Sequence, residues 1–138
     1  VAANITIELC APERRTLTLE ASEVQLPGGA GVLTILPGHT PVLTTLGSGV
    51  MMVHPPQGGP AQFFAISAGF AEIANDRINI LADTFEAGED IDLDRAKQAR
   101  EQAEATLKQG GDNRDILRAE LAIARAMARI HAHSREGY

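Results

Sequence analysis

The chain has 138 residues, 44% of them hydrophobic, a formal net charge of −6 and a single cysteine. That suffices for one ordinary domain, or a small domain with an appendage, and it excludes an internal disulfide. No apolar run approaches the roughly 18 residues that cross a bilayer, and the opening VAANITIELC has no basic region followed by an apolar one, so no secretory signal is read there.

The charge is unevenly placed. Residues 1–90 carry three basic side chains against ten acids, whereas residues 91–138 carry nine against eight. An acidic body with a near-neutral, arginine-striped tail argues against general nucleic-acid binding. With no tryptophan, one tyrosine and four phenylalanines, platforms for stacking bases are also scarce. One cysteine fits a reducing compartment.

The first half alternates with period two, the mark of half-buried strands. In ITIELC, Ile5, Ile7 and Leu9 oppose Thr6, Glu8 and Cys10. In RTLTLE, Leu17 and Leu19 oppose Thr16 and Thr18. In RINIL, Ile78 and Ile80 oppose Arg77 and Asn79. Between such runs stand PGGAG, PGHTP, GSG, PPQGGP and AND, which supply Gly, Pro, Asn or Asp where the chain must reverse. Many short strands at this spacing predict an antiparallel β-sandwich over residues 1–90.

From Ile91 to Ala132 the composition changes. Ten residues are alanine, proline is absent, and glycine occurs only at Gly110 and Gly111. QGGDN splits the stretch: a glycine can end one helix in a left-handed conformation, and Asp112 or Asn113 can cap the next. The reading is a two-helix antiparallel hairpin, residues 92–109 and 113–133, within a second unit spanning 91–138. Asp92 or Asp90 is the candidate cap of its first helix. The fold class is therefore mainly β plus α.

On the second helix Arg114, Arg118, Arg125 and Arg129 fall within an arc of about 60°. Leu117, Leu121, Ala124 and Ala128 flank that arc, while Ile116, Ile123, Met127 and Ile130 lie roughly opposite. This apolar surface is wider than one partner helix needs, and Glu120 falls within it. The first helix offers a narrow stripe of Ala96, Ala99, Ala103 and Leu107. A seam of methyl groups holds less than one of leucines, at roughly 0.8 kcal/mol per buried CH₂, so the hairpin is expected to dock marginally, with two arrangements of similar free energy.

Catalytic and metal-binding patterns are missing from the sequence. There is no Walker A loop and no GxGxxG. His131 and His133 are two residues apart on a helix and do not share a face as metal ligands would. They and His54 read as solvated residues, and Cys10 as a packing residue. No nucleophile–base–acid set stands out, so neither a catalytic residue, a metal nor a required cofactor is assigned. His39, in LPGHTPVL between Gly38 and Pro41, reads either as part of a rigid turn or as an exposed contact.

Taken in order, LPGHTPVLTTLGSG, LADTFEAGEDIDLDRA and RAELAIARAMARI resemble the epsilon subunit of bacterial F-type ATP synthases over nearly the whole chain. The PGHTP turn and the IDxxRA box together carry the resemblance. It implies a ten-stranded sandwich followed by a helical hairpin, in a subunit that performs no chemistry. It also implies a seat on the central rotor stalk, against the gamma subunit and the c ring, at the cytoplasmic face of the bacterial inner membrane and peripheral to it. The hairpin would extend towards the alpha-beta head and restrain ATP hydrolysis.

The resemblance further implies that ATP, as a regulatory ligand, meets Glu86, Ile91, Asp92, Arg95, Ala96, Arg118, Arg125 and Arg129. Gln102 stands where another member's basic residue would be. Gly38, His39 and Pro41 are implied to lie near the ring, although Val32 replaces a common acid in the preceding loop. The alternatives are a purely structural rotor subunit without nucleotide sensing, and a free-standing ligand-binding sandwich.

Overall fold

The computed structural model describes residues 4–13 and 15–136; residues 1–3, 14 and 137–138, which the expected ranges 1–90 and 91–138 include, lie outside the described residues. Eight strands come first: β1 (Ile5–Cys10), β2 (Thr16–Ala21), β3 (Glu23–Gly28), β4 (Gly31–Ile35), β5 (Val42–Leu46), β6 (Gly49–His54), β7 (Gln62–Ala74) and β8 (Arg77–Ala87). A 3₁₀ turn, Gly88–Asp90, leads to α1 (Leu93–Gln109) and α2 (Asn113–His133).

The strands pair in the order β2-β1-β8-β7-β5-β3-β4, with β6 joined to β3 and β7. The first part of β7 pairs with β6, from Gln62↔Val53 to Ile66↔Gly49. Its second part pairs with β5, from Gly69↔Leu46 to Ile73↔Val42. β8 follows β7 along both parts. One long hairpin thus contributes to both layers, giving eight strands where about ten were expected. At the bend Ala68 has φ 37°, and a Cβ on Gly69 would run into the Leu81 carbonyl oxygen. Glycine allows the two strands that close approach.

The pairing is antiparallel except between β1 and β8, which run parallel from Thr6↔Arg77 to Cys10↔Leu81. This departs from the expected all-antiparallel sheet. It follows from β1 entering at the same end as β8, where the Thr6 N–H donates to the Asp76 carbonyl oxygen at 3.0 Å. The alternation behaves as the residue pattern requires: Ile5, Ile7, Leu9 and Ile78 are fully buried and Ile80 nearly so. They join Leu26, Met51, Val53, Ile66, Ile73 and Phe85 in a core made entirely of sandwich residues.

Both helices are capped by aspartate. Asp92 Oδ1 accepts from the Arg95 N–H at 3.1 Å and Asp112 Oδ1 from the Asp115 N–H at 2.9 Å, each satisfying a donor the first turn leaves open. Gly110, at φ 77°, ends α1. α2 lies between two neighbours. Ala119 and Ala126 are buried on one side, where Met127 Sδ meets the Arg100 guanidinium of α1 at 3.7 Å. On the other side Ala128 and Ala132 pack on Val50, Ala65, Phe63 and Ile91. These two partners cover part of the broad apolar surface, while Leu117 and Leu121 stay exposed. Glu120, placed in that surface by helical geometry, is exposed at its edge and needs no buried partner.

Candidate functional site

The seam under α2 is built from small residues. Val50 and Ala65 are cross-strand neighbours on β6 and β7, and Ala128 and Ala132 supply the facing methyl groups. Gly88 lets the backbones touch: a Cβ there would run into the Ala132 carbonyl oxygen. His133 completes the contact, its Nδ1 lying 3.2 Å from the Gly88 oxygen. The side chain is exposed, as expected for this histidine, and touches the backbone from the solvent side. His54 also has a partner, with its Nε2 3.5 Å from a Glu23 carboxylate oxygen.

Beside the seam, Arg129 Nε donates to Glu86 Oε1 at 2.8 Å. Both side chains are about a third exposed, 40% and 32%, so the pair is screened by solvent and contributes at most about 1 kcal/mol. Arg125, one turn earlier, lies over the same strand face with Ser67, Thr84 and Glu86, leaving only a shallow niche of about 10 Å³. Ser67 and Thr84 are paired across β7 and β8. Two guanidinium groups above two hydroxyls and a carboxylate can hold an oxyanion, provided Arg129 is shared with or released from Glu86.

The remaining nucleotide candidates divide in two. Ile91, Asp92, Arg95 and Ala96 surround the start of α1, level with the last turns of α2. Ile91 is buried in the seam, Ala96 is 1% exposed, Asp92 caps the helix, and Arg95 is exposed. Arg118 stands apart. It is eleven residues before Arg129, about 16 Å along the helix axis, on the half of α2 that overhangs the sandwich. Leu117 and Leu121 beside it are 56% and 48% exposed. The fold therefore gathers Glu86, Arg125 and Arg129, and leaves Arg118 at the free end.

Gly38, His39 and Pro41 lie in the turn between β4 and β5. Gly38 has φ 84°, and its N–H donates to Asp76 Oδ1 at 2.6 Å. The His39 N–H donates to the Leu36 carbonyl oxygen at 3.1 Å, and His39 Nδ1 lies 2.6 Å from the Thr40 oxygen. The imidazole thus serves the rigid turn, while Leu36 is 51% exposed next to it. Asp76 precedes β8 and Gly88 follows it, so this turn and the hairpin root stand at opposite ends of an eleven-residue strand.

A further surface escaped the residue-by-residue reading. Leu43, Phe70 and Leu81 project from the outer face of the layer opposite α2, 70%, 55% and 58% exposed. Phe70↔Leu81 and Leu81↔Cys10 are cross-strand pairs, and with Glu8 and Glu72 these residues border an open hollow of about 380 Å³. A signal was present: Leu81 falls in phase with Arg77 and Asn79, on the polar side of an alternating strand, where an apolar residue has no core to face. Among the described residues, no helix is long and apolar enough to cross a membrane.

The model of the beta-sandwich domain of the ATP synthase delta/epsilon chain matches residues 4–88, and that of its long alpha-helix domain matches residues 89–134. The chain belongs to the ATP synthase delta/epsilon family. Among its curated relatives, the ATP synthase epsilon chain of Desulfitobacterium hafniense (strain Y51) is 43% identical over 132 residues, 96% of this chain and 98% of that one. That of Moorella thermoacetica is 42% identical over 130 residues, 94% and 96% of the two chains. In a cryo-EM structure of the Euglena gracilis mitochondrial ATP synthase, one chain superposes with a TM-score of 0.79 at 22% identity, over 93% of this chain and 80% of that one. At that identity the likeness speaks for the fold.

Proposed function

We propose that the chain is the non-catalytic epsilon subunit of the central stalk of a bacterial F-type ATP synthase, coupling ion translocation to ATP synthesis. In this reading the sandwich, residues 1–90, seats on the gamma subunit and the c ring. The hairpin, residues 91–138, is a regulatory arm that reaches the alpha-beta head when extended and slows ATP hydrolysis. The subunit sits peripherally at the cytoplasmic face of the inner membrane and requires no cofactor.

The observation that carries this reading is the separation of two apolar clusters. The sandwich core is complete without any helix residue, and a small separate cluster holds α2. Losing the second leaves the first whole, which is what an arm that detaches from an anchor requires. The patch of Leu43, Phe70 and Leu81 supplies the anchor a rotor-facing surface, since contiguous exposed apolar area marks an interface. Val32 and Leu36 supply apolar contact at the Gly38–Pro41 end.

ATP fits this scheme as a ligand of the compact hairpin, with Arg125, Arg129 and Glu86 at the strand face and Asp92, Arg95 and the backbone around Ile91 and Ala96 at the start of α1. Arg118 contributes only if the helices shift. A ligand that binds one arrangement better shifts the balance by that difference alone. Binding of gamma to the full chain and to Phe70→Glu tests the anchor. Retained binding by the folded variant would remove the patch from the interface. Titration with ATP, comparing the wild-type chain with Arg125→Ala, tests the nucleotide site; equal affinities would remove the arginine from it.

A further inference from the structure

Where the last turn of α2 meets the sandwich, a cavity of about 450 Å³ opens between the two units. Its apolar surface comes from Pro55, Pro60, Phe63 and Ala132, and its polar groups include His133 and Arg135. The volume falls in the range of roughly 300–1,000 Å³ typical of small-molecule sites, which favour apolar walls with few convergent polar groups.

The end of α2 is shaped to place a cation at this cavity. Arg135 has φ 60°, uncommon for a residue with a side chain. The turn is closed by the Arg135 N–H donating to the Ala132 oxygen at 3.2 Å and the Glu136 N–H to the His131 oxygen at 2.8 Å. The chain is thereby folded back over the sandwich. The guanidinium comes to 5.8 Å from the centroid of the Phe63 ring, and Nη2 donates to the Ala61 oxygen at 3.3 Å. No carboxylate pairs with Arg135 among the described residues. A guanidinium with only a carbonyl and a ring face for company retains N–H donors suited to a planar carboxylate.

We propose that this cavity is a binding site for a small apolar monocarboxylate, an aromatic or branched-chain acid. Its apolar body rests on Phe63, Pro55 and Pro60, and its carboxylate meets Arg135. Glu89 also lines the cavity, which disfavours a second negative charge and sets this ligand apart from a polyphosphate. Because one wall is the sandwich and the other is the end of α2, the acid binds only while the hairpin is docked and holds it there by mass action. This inference does not rest on the nucleotide reading; its ligand, cavity and arginine are different.

The test is an NMR titration of the full chain with phenylacetate and, separately, with its neutral isostere phenylacetamide. Phenylacetate is expected to shift the amide signals of Phe63, Gly88 and Ala132 saturably and to slow amide exchange in the last turns of α2. Phenylacetamide is expected to bind about tenfold more weakly, the scale of one charge-assisted contact. Arg135→Gln, at an exposed position that leaves the core untouched, is expected to bring the acid down to the level of the amide. The proposal is overturned if the acid gives no saturable shift, if acid and amide bind equally to the wild-type chain, or if the shifts centre on Arg125 and Glu86 instead.

Discussion

Arg129 reaches from α2 to Glu86 on β8, with 2.8 Å between Nε and Oε1. This is the one side-chain ion pair among the described residues that ties the hairpin to the sandwich. Because the pair is partly solvated, its coupling in a double-mutant cycle of Glu86→Gln and Arg129→Met is expected to be below about 1 kcal/mol. Denaturant melts of the four proteins measure it. A coupling of several kcal/mol would mean that the pair, rather than the alanine seam, holds the arm.

Gly88 is the tightest point of the docking. A methyl group there meets the backbone carbonyl of Ala132, and backbone cannot swing aside as a long side chain can. Gly88→Ala is expected to cost about 1–3 kcal/mol, as overpacking does, and to spend it locally by lifting the end of α2. Hydrogen exchange should then accelerate in residues 125–133 and stay slow in β1 and β8. Equal acceleration in both would show that the hairpin and sandwich unfold as one unit.

Asp92 has two possible duties, and one substitution separates them. Asn caps a helix nearly as well as Asp, so Asp92→Asn is expected to leave the helix content unchanged by circular dichroism. Asp92→Ala is expected to cost about 1 kcal/mol of hairpin stability. If Asp92→Asn weakens ATP binding with its helix intact, the carboxylate meets the ligand; unchanged binding assigns it to the cap alone.

Leu117 and Leu121 face solvent on the overhanging half of α2. Replacing both by alanine should change stability by less than about 0.5 kcal/mol each, as at other surface positions. The regulatory reading predicts that the same variant restrains ATP hydrolysis less, because it lacks the two exposed leucines with which the unsubstituted arm meets the head. A large loss of stability would mean that they already pack in the compact arm.

Much of this fold was legible because it is local. Alternation in ITIELC and RINIL named the buried isoleucines, and the helix ends were marked to within a residue or two, with the structure choosing Asp92 over Asp90, Gly110 over Gly111 and Asp112 over Asn113. β7 is harder to read. QFFAISAGFAEIA changes partners at Ala68 and Gly69, so its apolar residues serve two layers and show no single period. The parallel pairing of β1 with β8 joins residues some seventy positions apart, and nothing in either strand specifies the direction. The same holds for Gly38 and Asp76, or Gly88 and Ala132: each contact depends on how distant turns are brought together. The arginine stripe was visible in the sequence as an arc. Only the end of the sandwich divides it into Arg125 and Arg129 over the strands and Arg118 beyond them.

The most direct measurement is ATP hydrolysis by the matching alpha-beta-gamma head, with the full chain added and then with a chain ending at Asp90. The sandwich core contains no helix residue, so the shortened chain is expected to fold and still bind. The account predicts that the full chain slows hydrolysis and the shortened chain does not. If both bind and hydrolysis is the same, the hairpin is a structural appendage and the regulatory reading is contradicted.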